Sequence, residues 1–210
     1  ELTTYFNDRT AQMVDLLKTL IEYESPSNVK SAVDTLGAYL ANEFKAAGAT
    51  VTTLEREQVG DILLAKWNAA ASAKPVLILA HMDTVWPIGT LAERPIRLDA
   101  DGRLYGPGAV DMKGGIVIAL QAILGLQALG QMPERPVWFL VTSDEEISSV
   151  FSRGVIEQYA AEAALVLVGE PPNNDGSLKT WRKGVANYQM VVEGRASHAG
   201  NEPEQGVNSI

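Results

Sequence analysis

His81, Asp83, Asp111, Glu145, Glu146 and Glu170 are the residues of this chain whose types and spacing could do metal-dependent chemistry. His81 ends the apolar run Val76-Leu77-Ile78-Leu79-Ala80, and Asp83 follows two places later. Residues two apart in an extended chain share one side. The Asp83 carboxylate can therefore accept the second N–H of the His81 imidazole, the arrangement that orients a metal-ligating histidine. Gly106-Pro107-Gly108-Ala109-Val110-Asp111-Met112-Lys113-Gly114-Gly115 is a glycine-rich turn that places Asp111 just ahead of an apolar helical run. Thr142-Ser143-Asp144-Glu145-Glu146 follows the apolar stretch 137–141, and Gly169-Glu170 closes 165–168. Adjacent acids against an apolar strand raise one another's pKa unless a cation offsets them, and a divalent metal is the obvious partner. The chain has no cysteine, which excludes disulfides and thiolate sites. A transition-metal site must then use carboxylates and imidazole, and the histidines are His81 and His198.

Each feature has a plainer reading when taken alone. His81 could be a hydrogen-bonded structural residue, Asp111 a helix cap, Asp144-Glu145-Glu146 a solvated turn, and Glu170 simple loop polarity. Their convergence on one edge of one sheet favours the metal site, because ligands in open α/β sheets bind beyond the carboxyl ends of the strands.

The elements that must position these residues follow from periodicity. Met13, Leu16, Leu17, Leu20 and Ile21 fall at helical spacing and predict one amphipathic helix over 3–23. Ser25-Pro26-Ser27-Asn28 breaks it and offers caps for a second helix over 29–46, whose apolar face is Val33, Leu36, Leu40 and Phe44 and whose end is marked by Gly48. Strands are predicted at 51–55, 61–67 and 76–84, with a polar turn at 68–73, then a hairpin over 96–105 turned at Asp101-Gly102. A helix over 114–129, a buried strand over 136–141, a helix over 150–160 and an apolar strand over 165–168 complete the pattern. Strands alternating with helices imply an α/β domain with a mixed, largely parallel central sheet and right-handed crossovers. Beyond the Pro171–Gly176 stretch, strands are expected at 178–181 and 185–193 around Arg182-Lys183-Gly184, with Arg182 and Lys183 as surface charges at the boundary with the second domain. A loop over 194–200 holds His198, and Pro203 suits the first turn of a helix. The chain ends a few residues into that element, so truncation is expected.

Composition narrows the partners. Twenty-six acidic against seventeen basic residues give a net charge of −9, which disfavours nucleic acid. No apolar run is expected to reach the ~20 residues that cross a bilayer, so no membrane partner is expected. Glu1-Leu2-Thr3-Thr4 is not a secretory signal; a cytoplasmic location is expected, with a periplasmic or secreted one still compatible.

Taken in order, His81-Met82-Asp83-Thr84-Val85, Gly106-Pro107-Gly108 with Asp111-Met112-Lys113-Gly114-Gly115, Thr142-Ser143-Asp144-Glu145-Glu146, Gly169-Glu170-Pro171 and Ser197-His198-Ala199-Gly200 resemble the co-catalytic zinc exopeptidase and aminoacylase family. The resemblance is strongest to its glutamate carboxypeptidase branch, of the carboxypeptidase G type. It implies a three-layer zinc-exopeptidase fold over 1–181 and the start of a smaller α+β lid or dimerisation domain over 182–210. It implies two Zn2+ ions per active site, with Mn or Co as compatible substitutes. His81 and Glu170 would bind the first ion, Glu146 the second, and Asp111 would bridge them. Asp83 would orient His81. Glu145 would be the general base acting on a water that two metals polarise. A cis peptide is implied at Asp111-Met112. His198 would reach a partner's active site in a homodimer formed through the lid and polarise the scissile carbonyl.

The implied reaction is hydrolysis of an amide, releasing a C-terminal, glutamate-like amino acid from an N-acyl amino acid or short peptide. Two alternatives stand beside it. One is an N-acyl deacylase of the acetylornithine or succinyl-diaminopimelate type, although His-Met-Asp-Thr leans towards the peptidase branch. The other is an inert metal-binding fragment, since the family closes its second zinc site with a further histidine that this chain does not offer; taken alone, the chain is expected to be inactive. Ser148 departs from the family's usual glycine after the Glu-Glu-x segment. Trp86 could line a substrate pocket or simply pack.

Overall fold

The structure is a computed structural model that describes residues 1–181, 183–186 and 188–209. It divides into two compact units, Glu1–Pro171 and Pro172–Ile210.

The first unit is built on a five-stranded sheet with the order β1-β2-β6-β3-β7. Its strands are β1 (Thr50–Leu54), β2 (Ile62–Trp67), β3 (Val76–His81), β6 (Val137–Thr142) and β7 (Leu165–Val168). β3 pairs parallel with both β6 and β7, while β2 runs antiparallel to its neighbours β1 and β6. The sheet is thus mixed, with β2 alone opposing the common direction. β4 (Arg97–Leu98) and β5 (Leu104–Tyr105) form the predicted hairpin beside it.

Helices cover both faces, giving three layers. α2 (Thr10–Glu22), α3 (Lys30–Ala46) and α5 (Gly114–Ala128) pack on one face, and α6 (Arg153–Glu162) on the other. The spacing of Val33, Leu36, Leu40 and Phe44 makes one helical stripe, and all four are fully buried. Phe44 meets Phe139 of β6 at 5.1 Å between ring centroids. Burial of such side chains contributes roughly 1.5–3 kcal/mol each. Where α3 ends, the carbonyl of Ala47 accepts from Trp67 Nε1 at 2.8 Å and Gln127 Nε2 at 2.9 Å, so neighbouring elements satisfy its open backbone.

Several expectations are corrected. The first helix is two, α1 (Leu2–Asn7) and α2, parted at Asp8 and Arg9. Asn and Asp compete for backbone partners and tolerate such a break. The helix expected from 150 begins at Arg153, because residues 148–152 are spent on a turn. α4 (Thr90–Glu93) is a single turn that sequence periodicity did not reveal. Ala109–Ala128 is long and apolar enough to cross a membrane by length and composition alone. Here it is interrupted at Asp111 and Met112, and Ile116, Val117, Leu120 and Ile123 are buried in the core.

In the second unit, the described residues of 178–181 and 185–193 form no strand. Apolar alternation is present, but a strand needs a partner for its N–H and C=O groups, and none of the described residues supplies one. Arg195 and Val207 form one antiparallel bridge, and Pro203–Gln205 is a single tight turn with Pro203 in its first turn. Arg182, expected as a surface charge at the start of the second domain, lies outside the described residues.

Candidate metal centre

Three parallel strands deliver the site. The carboxyl ends of β3, β6 and β7 lie side by side, with His81 opposite Thr142 and Leu79 opposite Val168. Polar residues that follow each strand therefore meet beyond one edge. Asp111 arrives from the turn ahead of α5, which packs so closely on β7 that a Cβ at Gly115 would collide with the Gly169 carbonyl. The Asp111–Met112 peptide is cis, as the resemblance implies.

His81 Nε2 lies 3.1 Å from Asp111 Oδ1, 3.4 Å from Glu170 Oε1 and 3.7 Å from Glu145 Oε2. Ligand atoms of His81, Glu145 and Glu170 come within 4.8 Å of one another, and so do those of His81, Asp111 and Glu146. The structure thus brings together every first-unit residue singled out by the sequence: His81, Asp83, Asp111, Glu145, Glu146 and Glu170. His198 belongs to the second unit, where its Nδ1 accepts the N–H of Gly200 at 3.1 Å and of Asn201 at 3.0 Å.

The electrostatics call for a cation. His81 Nδ1 faces only acceptors, the Asp83 carbonyl at 3.0 Å and Asp83 Oδ1 at 3.4 Å. Nδ1 therefore carries the N–H, and the Nε2 lone pair points at carboxylates. That is repulsive unless a proton or a metal ion lies between. Burial opposes the imidazolium, yet hydrogen bonds with Asp83 and Glu170 and the surrounding negative charge prevail and raise the His81 pKa to about 11. Glu146 is pushed up to about 7, first by burial and then by Asp111. Burial, followed by the charges of Glu170 and Asp111, also outweighs His81 and raises Glu145. One imidazole nitrogen among carboxylate oxygens is a donor set that suits Zn, Mn or Co, and the carboxylates would offset the ion's charge.

Asp83 behaves differently. Burial works to raise its pKa, but hydrogen bonds from His81 and Ser27 and the His81 charge hold it below the usual carboxylate range. It accepts from Ser27 Oγ at 2.6 Å and from the N–H groups of Glu145 and Glu146 at 3.2 Å each. One ionised carboxylate thus ties β3 to the turn that carries two of the other acids.

Several contributors escaped the sequence reading. Ser25 and Ser27, expected as caps, are buried: Ser25 Oγ donates to the Met82 carbonyl at 2.7 Å, and α3 has no side-chain cap. Lys113 is 1% exposed and donates to the Tyr23 carbonyl at 2.7 Å; burial lowers its pKa to about 7 against the opposing pull of Glu24. A lysine embedded in an apolar helical start is the signal that could have marked it. Asp144, grouped by sequence with Glu145 and Glu146, is buried and accepts the N–H groups of Phe151 at 2.6 Å and Ser152 at 3.2 Å, at the start of α6. Ser148, where the resemblance leads one to expect glycine, adopts a left-handed φ of 75°. Trp86 lines a cavity beside the cluster.

Comparisons with known proteins place the chain in a family. A family profile described as Peptidase family M20/M25/M40 matches residues 77–202. Carboxypeptidase G2 of Pseudomonas sp. (strain RS-16) is 34% identical over 206 residues, covering 97% of this chain and 49% of that protein. Succinyl-diaminopimelate desuccinylase of Rhodopseudomonas palustris (strain BisA53) is 38% identical over 153 residues, covering 66% of this chain and 38% of that protein. The crystal structure of human carnosine dipeptidase 1 superposes with a TM-score of 0.71 at 20% identity, over 81% of this chain and 41% of that one, a likeness of fold. The chain spans about half the length, or less, of the curated relatives it matches.

Proposed function

The chain belongs to peptidase family M20/M25/M40, and on that premise we propose that it carries the catalytic centre of a metal-dependent hydrolase. The reaction is cleavage of an amide bond, releasing a C-terminal, glutamate-like amino acid from an N-acyl amino acid or short peptide. One observation carries this reading: His81 Nε2 points at Asp111, Glu145 and Glu170, with its tautomer fixed by Asp83. The likeness to carboxypeptidase G2 supports the carboxypeptidase assignment. The likeness to the desuccinylase keeps an N-acyl deacylase as the second reading.

In this reading His81, Glu170, Asp111 and Glu146 are the residues that would hold two zinc ions. Divalent ions so held would supply Lewis acidity and make water a usable nucleophile near neutral pH. Asp83 keeps the proton of His81 on Nδ1, leaving Nε2 free to ligate. Glu145, with its carboxylate facing the cluster and its pKa raised, takes a proton from the attacking water and passes it to the departing amide nitrogen. His198, in the segment proposed as the start of a lid and homodimerisation domain, would serve the active site of a partner copy, stabilising the negative charge on the scissile carbonyl oxygen there.

The test is hydrolysis of N-acyl-glutamates by the protein that contains this chain. Activity should vanish with a chelator, return with Zn2+, and be absent in Glu145→Gln despite retained metal. Chelator-resistant turnover, or full turnover by Glu145→Gln, would overturn the proposal.

A further inference from the structure

A cavity of about 640 Å³ opens beside the carboxylate cluster and touches it at Asp111 and Glu146. Its volume lies within the range of small-molecule sites. Much of the wall is apolar, with Val85, Leu104 and Val110 among its residues. Two stacked pairs break that pattern. The guanidinium carbon of Arg94 lies 4.5 Å from the centroid of the Trp86 ring, and that of Arg97 lies 4.0 Å from the Tyr105 ring. All four side chains line the cavity.

A guanidinium laid on a ring face keeps its in-plane N–H donors for another partner. Among the described residues neither arginine forms an ion pair with a carboxylate. Asp99, which feels the Arg97 charge, already accepts the N–H groups of Asp101 and Arg103 and the Tyr105 hydroxyl. Those bonds hold the hairpin and the Tyr105 ring. On the other side, the Glu24 carboxylate accepts the N–H groups of Gly89 at 2.7 Å and Leu91 at 2.8 Å, pinning the segment that ends at Arg94. Both cationic pairs are therefore set in place by the protein itself. Two guanidiniums that form no ion pair with a carboxylate among the described residues, beside a carboxylate cluster in a chain of net charge −9, are organised to receive an anion there.

We propose that this cavity is a carboxylate-recognition subsite for the substrate. Arg94 and Arg97 take a substrate carboxylate remote from the scissile amide, while the apolar wall takes the hydrocarbon that joins the two. The identity of the ligand as substrate rests on the hydrolase reading above. The carboxylate could belong to the acyl side or to the released amino acid, and two pairs of probes separate these sources.

Isothermal titration of the metal-free chain compares N-glutaryl-leucine with N-pentanoyl-leucine, and N-pentanoyl-glutamate with N-pentanoyl-glutamine, so that binding is read without turnover. In one of these pairs the charged member should bind at least about tenfold more tightly, the scale of one charge-assisted hydrogen bond. Arg94→Gln and Arg97→Gln, which keep much of the stem that packs on each ring, should each remove most of that ratio and leave the neutral member's affinity unchanged. Equal affinities within both pairs would overturn the subsite. So would a ratio that survives the double variant. Discrimination by the chain with no chelator-sensitive hydrolysis by the protein that contains it would leave the subsite standing and remove the hydrolase reading; such hydrolysis without discrimination would do the reverse.

Discussion

The two halves of the carboxylate cluster meet at the His81 ring and have little else in common. On one side the His81 and Asp83 side chains are 1% and 0% exposed. Ser25 and Ser27 bond to the β3 terminus, and Asp83 also gathers two backbone N–H groups. On the other side the side chains of Asp111 and Glu145 are 58% and 48% exposed. The buried half fixes a direction, that of the Nε2 lone pair. The exposed half supplies negative charge that a second proton on His81 partly offsets. A site built this way separates orientation from charge: changes to the buried half should disturb how the His81 ligand is aimed, and changes to the exposed half should disturb charge or chemistry.

Turnover gives the largest contrast. Glu145→Gln keeps the shape of the exposed half but removes its base, so kcat should fall about 10²–10⁴-fold with metal content unchanged. A fall in metal content equal to the fall in rate would make Glu145 a ligand instead. The buried half is probed by Ser27→Ala. Loss of the 2.6 Å hydrogen bond to Asp83 frees the carboxylate that orients His81, and metal affinity should weaken about 10–100-fold in a competition titration. An unchanged affinity would show that the backbone N–H groups suffice to hold Asp83.

The His81–Asp83 pair was legible because a strand ending in His-x-Asp has a fixed geometry, and an apolar run is easily read as a buried strand. Ser27 was not, because its bond to Asp83 depends on residues 25–27 pairing with Thr84 across the fold, a contact that local spacing cannot express. The same distinction separates Asp144 from its neighbours. Sequence saw three consecutive acids, but only the turn that follows β6 decides that Glu145 and Glu146 face the cluster while Asp144 holds α6. Helix α3 was readable from its apolar spacing. Residues 185–193 carry an alternation that reads as strand, yet the described ones among them have no partner to complete a ladder.

Acidity should sharpen the same contrast by smaller amounts. Ligation needs His81 Nε2 without its proton, and without metal that proton is held up to about pH 11. Zn2+ uptake near neutral pH should therefore release a proton, and affinity should fall about tenfold for each unit of acidification. Titration in buffers of different ionisation enthalpy reads the release directly. The smallest effect concerns Glu146 in the metal-free protein. Its pKa is raised from 4.5 to about 7, so it binds its proton more tightly folded than unfolded. The stability it contributes is fully present below pH 4.5 and is lost as pH rises through about 7. Between about pH 5 and about pH 8 the wild type should lose up to ~1 kcal/mol more than Glu146→Gln, after allowing for solvent screening of a partly exposed group. Urea melts at both pH values provide the measurement.

The central claim is that this carboxylate cluster is a divalent-metal centre organised on His81 and Asp111. Its most direct test is the metal content of the wild type, His81→Ala and Asp111→Ala after equilibrium dialysis against Zn2+, with circular dichroism to establish that each variant is folded. The wild type should bind zinc stoichiometrically, and each folded variant should lose it. Stoichiometric zinc retained by both variants would contradict the assignment.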